Sequence, residues 1–422
     1  MPVSETDLLR HVWEYPLFDA LYGRRSRRFG LGFDMTEGPF RHRSQHAALP
    51  LNELEEALLV AAGVGFSGTA LWEHSRLLAR LPYGGRTFPS TSGGRRTALF
   101  FTNDAGVHVI DPDAPEAAAL RAVDSPAARP TILELYRNHR RTLQPGRLAI
   151  PRRVPPLSGH NLWDSNMPGA TLFVPVCDVT RSLISLISQF VDGALGRFVD
   201  HGARGMSIVD DRHGFRPAGT DAWLRNGFLD PQRPLPLSVL ERQACYFTFS
   251  EPAAICQNMF LATEAIGIGG WMHCGFLSFE LLQALGFRMV APPDAPLLAH
   301  PVGLDGVFQS YCPPYFATMD AAVDAVLAPA DTTPGRAPVP HRLPAEAPLA
   351  GTVQVSAEGI ACTKAICRYI IETYGRFPAT VDAMHLMWVM QAHHLDTDFY
   401  DRHFHPDAYG ATHAGHLAIW HR

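Results

Sequence analysis

Between Ala254 and Ile266 apolar side chains recur at Ile255, Met259, Ala262 and Ile266, the spacing of one continuous helix face. Gly267, Gly269 and Gly270 then end the helix and let the chain lie close against a flat or bulky neighbour. Gln257 and Asn258 lie inside this apolar helix, where uncharged amides need hydrogen-bonding partners. Upstream, Leu8, Val12, Tyr15, Leu17 and Leu21 predict helix near the N-terminus, and Asn52 is placed to cap a helix carrying Leu54, Leu58 and Ala61. The apolar runs 97–102 and 107–110, separated by Asn103-Asp104-Ala105-Gly106, predict a hairpin. Further expectations are a helix over 132–141, a strand over 171–176, a helix over 180–198, a short strand over 245–249 and a helix over 277–285 that leads to an extended piece ending near Gly303. After a proline-rich stretch at 328–350, an amphipathic helix (Ile360, Thr363, Cys367, Ile370, Tyr374) stops at Gly375, and a second helix is expected over about 382–394.

Gly63-Val64-Gly65-Phe66-Ser67-Gly68 spells G-x-G-x-x-G, but a helix precedes it. A dinucleotide-binding turn needs a strand before it and a helix after it, so the glycines are read as a helix end and a turn. The 422 residues suffice for one large or two ordinary domains. A net charge of −5 without long runs of one sign points to neither nucleic acid nor an anionic membrane as a partner. Seven scattered cysteines with no Cys-x-x-Cys read as reduced thiols, and no secretory leader is visible at the N-terminus, so a cytoplasmic protein is expected. Lys364 is the only lysine, which lowers the weight of any single arginine.

Three stretches carry candidate chemistry. Arg24-Arg25-Ser26-Arg27-Arg28 follows a helix and offers guanidinium forks and a hydroxyl for a phosphate, or else a solvated basic turn. Arg86 and the hydroxyl- and glycine-rich loop with Ser90, Ser92 and Gly93 form the second. The third is the helix with Gln257 and Asn258 and its Gly267-Ile268-Gly269-Gly270 end. In this order the three resemble the nitroreductase family of FMN flavoproteins, and the 86–94 loop is similar to the SagB-like (azoline dehydrogenase) branch. The resemblance spans about 16–303 and implies an α+β fold with an antiparallel central sheet flanked by helices. It places Arg24, Arg25, Ser26 and Arg28 on the FMN phosphate and ribityl chain, and Arg86, Ser90, Ser92, Gly93, Gln257, Asn258 and Gly267–Gly270 around the flavin ring. Trp271 and His273 would then face the substrate.

The same resemblance implies FMN-dependent hydride chemistry on a small molecule or modified peptide, as a biosynthetic tailoring step. NAD(P)H is the candidate electron donor and a homodimer the candidate assembly. Members are about half this length, so 1–327 is read as the flavin domain with insertions near 113–170 and 200–240, 328–350 as a linker and 351–422 as a helical extension. A cofactor-less binding protein of the same fold is one alternative. The other is a metal-dependent enzyme using the tail's His385, His393, His394, Asp396, Asp398, His403 and His405. With no H-E-x-x-H or compact triad, those residues are read as polar side chains on a surface helix, and no metal site is assigned.

Overall fold

The computed structural model describes residues 4–69, 77–78, 84–90, 97–110, 129, 131–193, 203–291, 295, 297, 299–328, 342, 344 and 352–421. Its centre is a seven-stranded sheet. In chain order the strands are β1 (Thr97–Thr102), β2 (Gly106–Ile110), β3 (Arg141–Pro145), β4 (Thr171–Asp178), β5 (Gly269–His273), β6 (Met384–His385) and β7 (Val389–His393). Across the sheet they run β5-β7-β4-β1-β2-β3, with β6 also paired to β4 and every pairing antiparallel. The fold is α+β.

Both faces of the sheet are covered, which explains why β1 and β4 read as unbroken apolar runs. Leu99, Phe101 and Phe173 pack towards the helix Glu53–Val64 and the central helix Leu237–Ile266, while Phe100, Leu172, Val174 and Val176 pack against Leu281, Leu282 and Phe287. The N-terminal half of the central helix joins the helices Val179–Val191, Met319–Leu327 and Ala357–Tyr374 in a separate core.

The hairpin 97–110 forms as the sequence predicts, and Asn52 caps its helix through a reciprocal box with Glu55. The glycine string begins inside that helix, at Gly63, and runs past Gly65 into the strand Phe66–Thr69, so it has a helix before it and a strand after it, the reverse of a dinucleotide-binding turn.

Two expectations fail. Residues 245–249 are not a strand but part of the central helix, which begins at Leu237; a short apolar run cannot be told from a buried helix segment by periodicity. Leu237, Leu240, Ala244, Cys245 and Thr248 extend its buried face. The helix expected over 382–394 is instead β6 and β7. Met390 and Ala392 face one core, Val389 faces the other, and buried Gln391 is satisfied by the Asn166 amide (2.6 Å) and the Asp164 carbonyl (2.7 Å). The tail is therefore not purely helical. Within the stretches read as insertions, 113–170 supplies edge strand β3, and 200–240 forms a small sheet of Gly205–Asp210, Arg216–Pro217 and Leu229–Pro236. Most of the 328–350 linker lies outside the described residues. Among described residues no helix is long and apolar enough to cross a membrane.

A buried carboxylate fastens the tail to the central helix. Glu241 accepts from the backbone amides of Ala379 (2.5 Å) and Thr380 (3.0 Å) and from the Thr380 hydroxyl. Glu241→Ala leaves the buried Ala379 and the half-buried Thr380 N–H groups without this acceptor and should lower unfolding stability by about 1–3 kcal/mol. Denaturant titration checks this, with a loss under about 0.5 kcal/mol counting against the role.

Candidate functional site

The helix Leu17–Gly23 delivers the arginine string to the edge of the central helix. Arg27, the one arginine of the string that the family resemblance leaves without a ligand, is the buried one. Its Nη1 pairs with Glu264 at 2.6 Å, its Nε donates to the Ala408 carbonyl at 2.8 Å, and its backbone bridges Gly270 at the sheet edge. Locking Arg27 inward turns its neighbours outward: Arg25 and Ser26 are exposed. Arg24 points elsewhere, with its guanidinium over the Phe260 ring at 4.8 Å.

Arg28 is held from several directions. Its Nε pairs with buried Asp164 at 2.6 Å, and its Nη2 donates to the Asn161 amide oxygen at 2.9 Å. The guanidinium carbon lies 4.1 Å from the centroid of the Trp271 ring and 5.5 Å from that of Trp163. Trp271 in turn stacks on His273, with centroids 3.9 Å apart and planes 12° from parallel. His273 Nδ1 accepts from the Gly275 amide at 3.1 Å, so the ring proton belongs on Nε2. That Nε2 and the Trp271 indole nitrogen have no hydrogen-bond partner among the described residues.

Burial depresses the His273 pKa to about 3, with the Arg28 charge adding to the effect, so the ring is neutral. Burial pushes Asp164 up to about 6, against the pull of Arg28. Asn161, Trp163 and Asp164 were missed by sequence reasoning. They lie in an irregular turn, and their only local signal is the aromatic, polar, proline-bounded string NLWDSNMPG.

Arg25, Ser26 and Arg28 line a cleft of about 450 Å³ together with the side chains of Phe29, Trp163, Phe399, Tyr400 and Phe404; Asp407 and His405 are also at its wall. Phe399 and Phe29 stack at 4.2 Å, and the Tyr400 oxygen accepts from the Phe29 amide at 3.2 Å. The cleft thus joins the N-terminal string to the tail helix Thr397–His403. Trp271 and His273 are not among its lining residues; they stand behind Arg28.

The other residues assigned to the flavin gather elsewhere. Asn258 donates to the Thr87 carbonyl at 2.8 Å, Arg86 lies over the Phe66 ring, and the Ser90 hydroxyl donates to Glu251. Gln257 is half-buried on the same helix as Asn258. Thr87 borders a second cavity, about 420 Å³ and lined mostly by apolar side chains such as Val12, Leu58, Val64 and Ile132. Ser92 and Gly93 lie outside the described residues.

The glycine end of the central helix is filled by the chain itself. Gly267 caps the helix at φ +90°, where a Cβ would meet the Thr412 carbonyl oxygen at 2.5 Å, and Ile268 is buried in the core. Gly269 and Gly270 pair with His393 and Ala392 in the β5–β7 ladder. A Cβ on Gly269 would come within 2.8 Å of His393 Nε2, and one on Gly270 within 2.8 Å of Met390. These glycines serve close packing of strand, helix and tail. The space into which a side chain at Gly267, Gly269 or Gly270 would point is taken up by Thr412, His393 and Met390 of the chain itself.

The tail histidines do not form a surface face. His393 and His394 are buried at the end of β7, and the partner of His394 is Glu55, whereas exposed Asp398 pairs with His46 at 2.9 Å.

No family model matches the chain, and no curated protein matches it. Among solved structures, a crystal structure from Ralstonia eutropha described as a "putative nitroreductase" is similar over 65% of this chain and 76% of that one, at 16% identity and a TM-score of 0.28. An overlap of that quality carries no argument about fold or activity. The reading of the site rests on its own geometry.

That geometry gives an acid-stability prediction. Burial holds His108 near a pKa of about 4 and His273 and His413 near about 3, below the ordinary 6.5. Below pH 6.5 the unfolded chain takes up protons that the folded chain refuses, so stability falls as pH drops. Each such group contributes up to about 1.4 kcal/mol per pH unit between its two pKa values. Urea midpoints measured from pH 7 to pH 4.5 should fall, and His273→Asn should flatten the decline; an unchanged slope would contradict the neutral buried ring.

Proposed function

We propose that the chain binds FMN, with the phosphate at Arg25, Ser26 and the outward part of Arg28, and acts as a two-electron oxidoreductase. The observation that carries this reading is the convergence of those three residues with several aromatic rings in one cleft. Its volume, about 450 Å³, is of the size that small-molecule sites take. Exposed Arg25 and Ser26 offer charge-assisted and hydroxyl hydrogen bonds to an anion, while the rings offer a flat group a stacking surface.

Asp164 and Asn161 fix Arg28 before any ligand arrives, so little side-chain freedom is lost on binding. Trp271 and His273 support Arg28 from behind, which makes them positioning residues in this reading. Bound FMN would supply the hydride chemistry; the chain supplies binding, orientation and electrostatics. The likeness of the 86–94 loop to azoline dehydrogenases favours a biosynthetic tailoring substrate, a small molecule or modified peptide, with NAD(P)H as the donor where the reaction is reductive. The same resemblance implies a homodimer, and exposed Leu17, Phe18, Leu21 and Tyr22, directly before the arginine string, offer an apolar face for a second copy.

A second reading, a binding protein of this fold that carries no flavin, is favoured by the closed packing at Gly267–Gly270 and by the carboxylates that already occupy Arg27 and Arg28. The visible absorption spectrum, with fluorescence titration of added FMN, decides between the two. The FMN reading expects binding that Arg25→Ala with Ser26→Ala weakens at least about 10-fold, while Arg24→Ala leaves it within about 2-fold. A folded chain that neither carries nor takes up FMN contradicts it and leaves the second reading.

A further inference from the structure

Away from the cleft, four side chains that no flavin role uses meet in the interior. Glu55, in the first turn of the helix Glu53–Val64, has a fully buried carboxylate. His416 Nε2 lies 2.9 Å and His421 Nε2 2.8 Å from its Oε1, and His394 Nε2 lies 3.2 Å from its Oε2. All four ligand-type atoms fall within 4.8 Å of one another. They come from the helix Glu53–Val64, the residue after β7, and the helix Ala411–Trp420 with the residue after it.

The opposite ring nitrogens set the chemistry. His394 Nδ1 is 2.9 Å from the Leu49 carbonyl oxygen, and His416 Nδ1 is 2.9 Å from the Ile266 carbonyl oxygen. A carbonyl only accepts, so both Nδ1 atoms carry the ring proton and both Nε2 atoms of the neutral rings present a lone pair. Those lone pairs face a carboxylate oxygen, which is also only an acceptor. Filling the gap with protons would need two buried imidazolium ions against one carboxylate, a costly excess of charge in the interior.

A divalent cation removes the conflict, because it takes all four lone pairs at once and its charge offsets the carboxylate. Backbone carbonyls orienting ligand histidines through the far nitrogen are the usual outer support of such centres. Tetrahedral zinc at about 2.0–2.1 Å from each donor would hold neighbouring donors about 3.3 Å apart, close to the 2.8–3.2 Å between the carboxylate and the three imidazoles. We propose that Glu55, His394, His416 and His421 bind one divalent ion of borderline character, Zn²⁺ by donor set, as a closed four-ligand centre that fastens the C-terminal helix to the helix Glu53–Val64. The His421 side chain, 19% exposed, is the side of the centre open to an entering ion.

The test uses the full chain, stripped with chelator and titrated with Zn²⁺ alone, then with Co²⁺ as a spectroscopic substitute. The expected result is one Zn²⁺ per chain, the visible bands of tetrahedral Co²⁺, and a melting temperature raised by about 5 °C or more at saturating metal. His421→Ala, at the partly exposed end of the chain, should keep the fold and weaken metal binding at least about 10-fold, and Glu55→Gln should do the same. His46→Ala, in the exposed trio His46, Asp396 and Asp398, should change nothing. Failure of the folded wild-type chain to take up Zn²⁺, or uptake that survives His421→Ala unchanged, or uptake lost in His46→Ala, would each overturn the proposal.

Discussion

Burying the charge of Glu55 is the constraint on which the arrangement of this chain depends. An isolated carboxylate in the interior costs several kcal/mol, so the helix that carries it can dock on the sheet only where partners are waiting. Those partners are the Asn52 amide, a neighbour in sequence, and, through the divalent ion proposed above, three imidazoles from the last 30 residues of the chain. The same device recurs. Glu56 is met by Tyr136, Asn103 and Thr171, Glu251 by Ser90 and Thr97, Glu241 by the 379–380 turn, and Glu264 by Arg27. Apolar faces drive the two carboxylate-bearing helices against the sheet, and the carboxylates decide which distant segments may lie against them.

The candidate site is a product of that assembly. Glu264 draws Arg27 inward and so presents Arg25 and Ser26 to solvent. With β7 inside the sheet and His394 at Glu55, the helix beyond β7 is carried to the string, and Phe399, Tyr400 and Phe404 become walls of the cleft. Neither the N-terminal arginines nor the tail rings form a site alone. Asp164 and Asn161, delivered by an irregular turn between β3 and β4, complete it by fixing Arg28.

Much of this was legible in local pattern. The Asn52–Glu55 box, the 97–110 hairpin, the helix stops at Gly267 and Gly375 and the absence of a dinucleotide turn all arise from neighbours in sequence. The rest stayed hidden because it depends on partners far along the chain. Strand β7 reads as helix because its five residues are too few to reveal alternation, and its pairing with β4 and β5 fixes it instead. Arg27 cannot be told from Arg24 or Arg28 until Glu264, 237 residues away, is placed beside it. The tail histidines read as surface groups because their carboxylate lies not in the tail but at residue 55.

The tail thus belongs to the same cooperative unit as the sheet and the helix Glu53–Val64, and it is the reason the cleft exists. Native-state hydrogen exchange is the sharpest test of that unity. The amides of Met390 and Ala392 in β7 should exchange only through global unfolding, with the same free energy as those of Phe173 and Val174 in β4. Exchange of the β7 amides through a separate, much less costly opening, while β4 stays protected, would show instead that the tail is a detachable addition to the sheet.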